Sequence, residues 1–151
     1  MPEKMRDLVF ISYSQDDKKW LERLHRILAP LLREKQLKIW DDTYIIPGMR
    51  WYEAITNALS SAKIAVLLVS ANFLASDFIA KYELPPILEA AEQQHLTVLW
   101  IAVDYCLYQQ TGFAQYQAMN DPAKPLNSFS GAQRTRELTR ICKEITKQID
   151  Q

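Results

Sequence analysis

Glycine is scarce in this sequence. Only Gly48, Gly112 and Gly131 occur among the 151 residues, and they form neither a G-x-G-x-x-G turn nor a P-loop. These absences argue against a conventional nicotinamide-dependent dehydrogenase and against an ATPase. The chain also has no G-x-S-x-G segment, so the elbow that presents a serine nucleophile in α/β hydrolases is missing.

Cysteine and histidine are equally rare, with two of each. Cys106 and Cys142 show no metal or redox spacing, which predicts free thiols in a reducing cytoplasm. His25 and His95 lie far apart within helical segments, and we interpret them as helix residues rather than ligands. The sequence therefore predicts no metal site.

Neither a charge excess nor a long apolar run is present. The 18 basic and 18 acidic side chains cancel, which argues against nucleic acid as a partner, although a local basic patch is compatible with this total. The longest apolar runs, at 64–69 and 98–103, are too short to span a bilayer. Residues 1–4 do not form the apolar core of a signal peptide. We expect a cytoplasmic protein without a membrane partner.

Apolar, β-branched segments dominate what is there. Residues 8–11, 64–69 and 98–103 are almost continuously apolar, which is typical of parallel strands buried on both faces. A shorter strand fits 37–40. The residues expected to be nearly fully buried are Ile11, Val66, Leu68, Leu99 and Ile101.

Helical patterns separate these strands. They cover about 16–29, 50–61 and 77–94, and a last helix runs from Ser130, with Gln133 as its capping partner, to Ile149. Ser14 and Asp17 predict a capping box for the first helix, which we expect Pro30 to end or kink. Pro85 and Pro86 must break the hydrogen bonding of the third helix.

Alternating strands and helices predict an α/β fold, a flavodoxin-like doubly wound parallel sheet with helices on both faces. We expect a single domain over residues 1–151, with a core from about 7 to 149; only 104–129 shows no clear period. Ligands of such sheets bind at the carboxyl ends of the first and third strands. The segments expected there are 13–15, 41–50 and the stretch from 70 onward, which are acidic and aromatic.

Four motifs in register resemble the TIR (Toll/interleukin-1 receptor) family, in its bacterial NAD-cleaving type. Residues 9–14 resemble the first box of the family, and Ile39 to Asp42, with Pro47-Gly48 and Trp51 beyond, resemble its second strand and BB loop. Residues 62–70 resemble its third strand. Residues 76–79 and 82–84 resemble the start of its third helix.

The resemblance implies a catalytic role for Glu83, because a glutamate of the third helix lies beside the nicotinamide ribose in NAD-cleaving members. A carboxylate there can stabilise the oxocarbenium-like centre formed when the nicotinamide–ribose bond breaks. NAD+ is then a substrate rather than a cofactor. No metal is needed, because nicotinamide leaves as a neutral molecule.

Six further residues are predicted to bind substrate: Tyr13, Ser14, Asp41, Gly48, Trp51 and Ile79. Some of these residues also have a purely structural interpretation. Pro47-Gly48 also fits a tight turn, Trp51 a packing residue, and Asp41 a cap. Ile79 departs from the family, in which many NAD-cleaving members carry an aromatic residue, so we expect weaker stacking on nicotinamide or stacking by Tyr13.

The leading interpretation is a TIR-type NAD+ nucleosidase that forms nicotinamide and ADP-ribose or a cyclic isomer, in signalling or defence. The alternative is a non-catalytic adaptor that acts by TIR–TIR contact. A nucleoside deoxyribosyltransferase is more distant, since the BB-loop resemblance argues against it. As partners we expect NAD+, further copies of the chain bound through about 43–50, and a sensor domain or protein.

Overall fold

The four strands form one parallel sheet. The structure is a computed structural model that describes residues 6–93 and 95–150, so the N-terminal residues that carry the prediction about a signal peptide lie outside it. The strands are β1 (Leu8–Ser12), β2 (Lys38–Trp40), β3 (Ala62–Val69) and β4 (Thr97–Ala102), in the order β2-β1-β3-β4. This confirms the predicted doubly wound parallel sheet. The five residues expected to be buried are buried.

Helices cover both faces of this sheet. They are α1 (Lys18–Glu34), α2 (Trp51–Ser60), α3 (Ala71–Ala75), α4 (Leu84–Glu92) and α5 (Gly131–Ile149). One core joins α1 and α5 to alternate residues of the strands, such as Ile11 and Val66. The other core joins α2, α3 and α4 to the intervening strand residues, such as Phe10 and Leu67. The period of two along each strand divides its side chains between these cores.

The predicted end of the first helix is wrong. Helix α1 continues through Pro30 to Glu34. An interior proline costs a helix about 3 kcal/mol. Pro30 itself is exposed, while Leu28 and Leu32 on either side of it are buried against the sheet. Packing of the apolar stripe therefore outweighs the missing backbone hydrogen bond.

The predicted break in the third helical segment is confirmed, but in a particular form. Residues 77–92 are helical throughout, with a π-helical turn (Ile79–Glu83) that leads directly into α4. The Leu84 N–H donates to the Ile79 carbonyl, five residues back, directly before Pro85 and Pro86, which have no N–H to donate. The predicted third helix thus forms, with a π turn in it directly before the two prolines.

The segment without a period, 104–129, covers the open edge of β4. It contains three short 3-10 turns, Tyr108–Gln110, Gly112–Gln115 and Leu126–Ser128. The Asn120 side chain accepts from the Ala102 N–H at 2.8 Å and donates to the Ala102 carbonyl at 3.0 Å. One amide side chain therefore replaces a strand neighbour at this edge.

No helix within residues 6–93 and 95–150 combines the length and the apolar character that crossing a bilayer would require. Cys106 and Cys142 are both unpaired, as predicted. The expectation that residues 1–151 form one domain stays a prediction.

Candidate functional site

Glu83 is buried at the carboxyl end of β1. Strand β1 ends at Ser12, which alternation places on the same side of the sheet as Phe10 and α4. The Glu83 carboxyl lies beside the Ser12 hydroxyl, and Glu83 as a residue is only 4% exposed. Burial raises the pKa of Glu83 to about 7; the Ser12 hydroxyl lowers this pKa and the Asp42 carboxylate raises it further.

The π turn explains how a helical glutamate becomes buried. Glu83 is the last residue of the turn. The extra residue of a π turn changes the direction of the Glu83 side chain from the one it would have in a regular helix. Pro85 and Pro86 keep the next turn from closing regularly. Glu83 therefore lies at the strand end expected for the ligand site, but inside the protein rather than at its surface.

Ile79, at the other end of the π turn, belongs to the core. It is 2% exposed and packs in the cluster of α2, α3 and α4. A ligand has no access to Ile79 in this conformation, and its predicted role in substrate binding stays a prediction. The exposed neighbour Phe78 presents an aromatic ring instead.

Tyr13 lies on the opposite side of β1 from Ser12. Its ring is buried in the core of α1 and α5, so it is not accessible for stacking on nicotinamide in this conformation, and a substrate-binding role for Tyr13 stays a prediction. Burial, and then the neighbouring Asp42 carboxylate, raise the pKa of Tyr13. Asp42 in turn accepts a hydrogen bond of 2.6 Å from Gln15 Nε2, while burial raises the pKa of Asp42.

Three buried polar atoms near the carboxyl ends of β1 and β2 lack a hydrogen-bond partner. Within residues 6–93 and 95–150, Ser12 Oγ, Tyr13 OH and Asp42 Oδ1 form no hydrogen bond of normal geometry. Such atoms are uncommon in native proteins and cost about 1–3 kcal/mol each. Ser12 Oγ lies beside Glu83, the Asp42 carboxylate is near enough to raise the pKa of Glu83, and Tyr13 OH lies beside Asp42. A polar ligand at this end of β1 would therefore gain hydrogen bonds.

Asp41 and Ser14 act locally as caps. Asp41 accepts from the Thr43 N–H at 2.9 Å and from the Thr43 hydroxyl, and its other oxygen lies 3.9 Å from His25 Nε2. Ser14 accepts from the Asp16 N–H at 3.3 Å at the start of a 3-10 turn, Gln15–Asp17. Their roles in substrate binding stay predictions.

The capping box predicted from Ser14 and Asp17 does not form. The Asp17 carboxylate instead accepts from the Ser70 hydroxyl and, at 3.0 Å, from Asn72 Nδ2. These bonds join the chain after β1 to the chain after β3. Asp17 thus fixes the two strand ends on which the candidate site is built.

Gly48 forms a tight turn in the loop before α2. The Met49 N–H donates to the Ile46 carbonyl at 3.1 Å, Pro47 occupies the second position, and Gly48 has φ +90°. A type II turn requires a positive φ at its third residue, so the tight-turn alternative describes this segment. A substrate-binding role for Gly48 stays a prediction.

Four exposed aromatic rings, from the start of α2 and from the helical segment that precedes Glu83, contact one another at the surface. The Trp51 ring lies 5.2 Å from Phe78 and 4.8 Å from Tyr82, and its edge meets Tyr52. We call these four residues the aromatic cluster. Trp51 is 39% exposed, so it lies at the surface rather than in the core.

Sequence reasoning missed Ser12 and Asp42 as direct neighbours of Glu83. The signal for Ser12 was its position in β1, two residues after Phe10 and therefore on the same side of the sheet. Asp42 belongs to the acidic segment 41–50 expected at the strand ends, where the sequence fits a cap and a substrate contact equally well. Among residues 6–93 and 95–150, no group of three His, Cys, Asp or Glu side chains is arranged to hold a metal ion.

The fold and this site define an α/β domain whose candidate ligand site lies at the carboxyl ends of its first and third strands. Residues 9–136 match the family model of the TIR domain. The chain therefore belongs to the TIR domain family, as its motifs predicted.

Two known proteins illustrate the relationship. Over 121 residues the chain is 29% identical to the uncharacterized protein y4lF of Sinorhizobium fredii (strain NBRC 101917 / NGR234), which is 80% of this chain but only 38% of that protein. The TIR domains of the activated Roq1 resistosome, which directly recognizes the pathogen effector XopQ, superpose with a TM-score of 0.54. They are 22% identical, over 90% of this chain and 83% of that one, and this likeness shows the fold alone.

Proposed function

We propose that this TIR domain is an NAD+ nucleosidase with Glu83 as its catalytic carboxylate. The observation that carries the proposal is the buried Glu83 carboxyl at the end of β1, with the unpartnered Ser12 hydroxyl beside it and the Asp42 carboxylate nearby. Buried carboxyls with strongly raised pKa values cluster at functional sites. The family resemblance assigns a glutamate in this helix to the nicotinamide ribose.

The reaction is a heterolytic cleavage. The bond between the ribose C1′ and the nicotinamide nitrogen breaks, and its electron pair leaves with nicotinamide, which becomes neutral. An ionised Glu83 stabilises the positive charge that develops on the ribose. Water then adds to C1′ and releases a proton to give ADP-ribose, or a nucleophilic atom of the same ADP-ribosyl group adds to give a cyclic isomer.

Two features of Glu83 shape this mechanism. With a pKa of about 7, the carboxyl of the free protein is partly protonated at neutral pH, and the positively charged nicotinamide ribose would favour its ionised form. Because Glu83 is 4% exposed, substrate needs an opened conformation. We propose that the exposed loop 43–50 and the exposed aromatic cluster move to open the site.

Self-association is a natural cause of such opening. Apolar side chains of the loop project into solvent, with Tyr44 52%, Ile46 60% and Met49 44% exposed. The resistosome neighbour is itself an activated assembly. We therefore propose that copies of the chain associate through about 43–50, that a sensor domain or protein promotes this step, and that the assembled form binds NAD+.

The test is nicotinamide release by the wild type and by Glu83→Gln at matched, high concentration. The variant keeps shape and hydrogen-bonding capacity but loses the charge, so we expect release to fall about a hundredfold to ten-thousandfold. Glu89→Gln, an exposed glutamate of α4, serves as the matched control and should keep full activity. Equal rates for Glu83→Gln and wild type would remove Glu83 from the mechanism.

The second candidate is a non-catalytic adaptor, favoured by Ile79 in place of an aromatic residue and by the exposed apolar loop. It predicts concentration-dependent association in sedimentation, weakened by Ile46→Asp, without nicotinamide release from the associated wild type. Release that appears only in the associated form would favour the enzyme. A monomer at high concentration with full activity would contradict the proposed assembly step.

A further inference from the structure

The zero net charge conceals an uneven distribution. Helices α1 and α5 each carry five Lys or Arg residues and only two Glu residues. These helices pack side by side over one face of the sheet, whereas Asp41, Asp42 and Glu83 belong to the site at the strand ends. A strong local field of positive charge therefore lies away from the candidate active site.

A groove of about 330 Å³ runs between α1 and α5 within this basic face. Arg23 and Arg26 line it from α1, and Arg134 lines it from α5. Ile27 and Leu138 supply its apolar wall. The groove thus combines three guanidinium groups with apolar surface, and its volume is at the lower end of the range of small-molecule sites.

The guanidinium groups of Arg23 and Arg134 are held in place by contacts other than carboxylates. Arg23 and Arg134 lie 4.8 and 5.4 Å from the ring centroid of the same residue, Trp20. Arg134 also donates to the carbonyls of Leu126 and Phe129. In the described ranges, 6–93 and 95–150, none of the three groove arginines forms an ion pair with an acidic side chain. Two like charges on one indole repel each other, and a bound anion would relieve this repulsion.

We propose that the α1–α5 groove binds a small phosphate ester of nucleotide size. The planar guanidinium groups of Arg23 and Arg26, one helical turn apart, suit the phosphate oxygens. Ile27 and Leu138 suit the base or another apolar part of the ligand. Arg134 contributes charge with little loss of side-chain entropy, because Trp20 and the backbone carbonyls already hold it. The site lies on the other face of the sheet from Glu83 and does not depend on NAD+ cleavage.

Amide NMR shifts of the wild-type chain at low salt test this assignment with three probes: adenosine monophosphate, inorganic phosphate and adenosine. We expect adenosine monophosphate to shift the amides of 23–27 and 131–138 with a Kd below about 1 mM. Inorganic phosphate should shift the same amides more weakly, and adenosine should leave them unchanged at equal concentration. Equal binding of adenosine and its monophosphate, or no shifts with the monophosphate at 10-fold higher concentration (about 10 mM), would overturn the proposal.

Matched variants separate a built site from general attraction to a basic surface. Arg26→Glu should weaken adenosine monophosphate binding about tenfold or more, since it replaces an attractive charge with a repulsive one. Arg33→Glu changes the net charge equally but lies outside the groove, and it should change the Kd less than about twofold. Glu83→Gln should leave the Kd unchanged, which separates this site from the proposed NAD+ site. Equal weakening by the two arginine variants, or preferential binding of an oligonucleotide over the monophosphate with shifts spread along α1 and α5, would overturn the proposal.

Discussion

The two faces of the sheet contrast in regularity. The α1–α5 face is built from two long helices, and even Pro30 leaves α1 unbroken. The face of α2, α3 and α4 is built from short helices and contains the π turn, the buried Glu83 and the exposed aromatic cluster. Both faces bury comparable apolar cores against the same strands, so the irregularity is not a failure of packing.

The difference teaches where this fold accepts local cost. A regular helix in place of the π turn would direct residue 83 elsewhere, and an apolar residue at 83 would not carry a desolvated carboxyl. Local strain and buried polar groups that persist in a well-packed domain are typical of functional sites. The α1–α5 face instead keeps its charges on its surface, around a groove.

The largest effect is expected where the two faces meet in β3. Val66 belongs to the α1–α5 core and Leu67 to the other, and both are fully buried. Val66→Asp and Leu67→Asp should each prevent folding, because the new carboxylate would lack water and a partner and would cost several kcal/mol of a total stability of about 5–15 kcal/mol. Circular dichroism and melting curves give the answer. Lys63→Asp, at a half-exposed position of the same strand, should fold. A folded Val66→Asp with wild-type melting would contradict the shared core.

Glu83 should make the α2–α4 face sensitive to pH. Its pKa rises from 4.5 to about 7 on folding, so the folded protein binds more protons than the unfolded chain between these values. The contribution of Glu83 to stability is therefore largest at low pH and falls as the pH rises through this window, by about 3 kcal/mol when complete. Glu83→Gln carries no charge and escapes this loss.

The measurement is chemical denaturation of wild type and Glu83→Gln at pH 5 and pH 8. The variant should gain about 2–3 kcal/mol relative to wild type between the two pH values, whereas Glu89→Gln should show no such gain. Glu83→Gln is therefore expected to stabilise the protein relative to wild type at high pH. Parallel curves for wild type and Glu83→Gln would show that the carboxyl is hydrated in solution.

Sequence patterns predicted the strands because fully buried parallel strands consist of runs of apolar residues. They also predicted irregular hydrogen bonding in the third helix, since Pro85 and Pro86 remove two N–H donors. The continuation of α1 past Pro30 was not predictable in this way, because it depends on the packing of Leu28 and Leu32 against a sheet formed elsewhere in the chain.

The candidate site was predictable in position but not in depth. The motif identifies Glu83, but its surroundings include Ser12 at the end of β1 and Asp42 in the turn after β2, which are distant in the sequence. Asn120 shows the same limit, since an amide side chain that replaces a strand neighbour leaves no periodic pattern. Tertiary partners of polar residues, unlike apolar runs, have no local signature.

The smallest expected effects compare one glycine from each region. A Cβ added at Gly48 or at Gly131 would meet nothing within 4 Å, so only the backbone distinguishes the two positions. Gly48 has φ +90° in the loop before α2, and Gly48→Ala should destabilise the protein by about 1 kcal/mol. Gly131 is the first residue of α5, and Gly131→Ala should stabilise the protein by about 0.5 kcal/mol, because alanine restricts the unfolded chain and favours the helix. Urea denaturation of both variants at one pH measures the difference, and the same sign for both would show that the loop turn relaxes to accept a side chain.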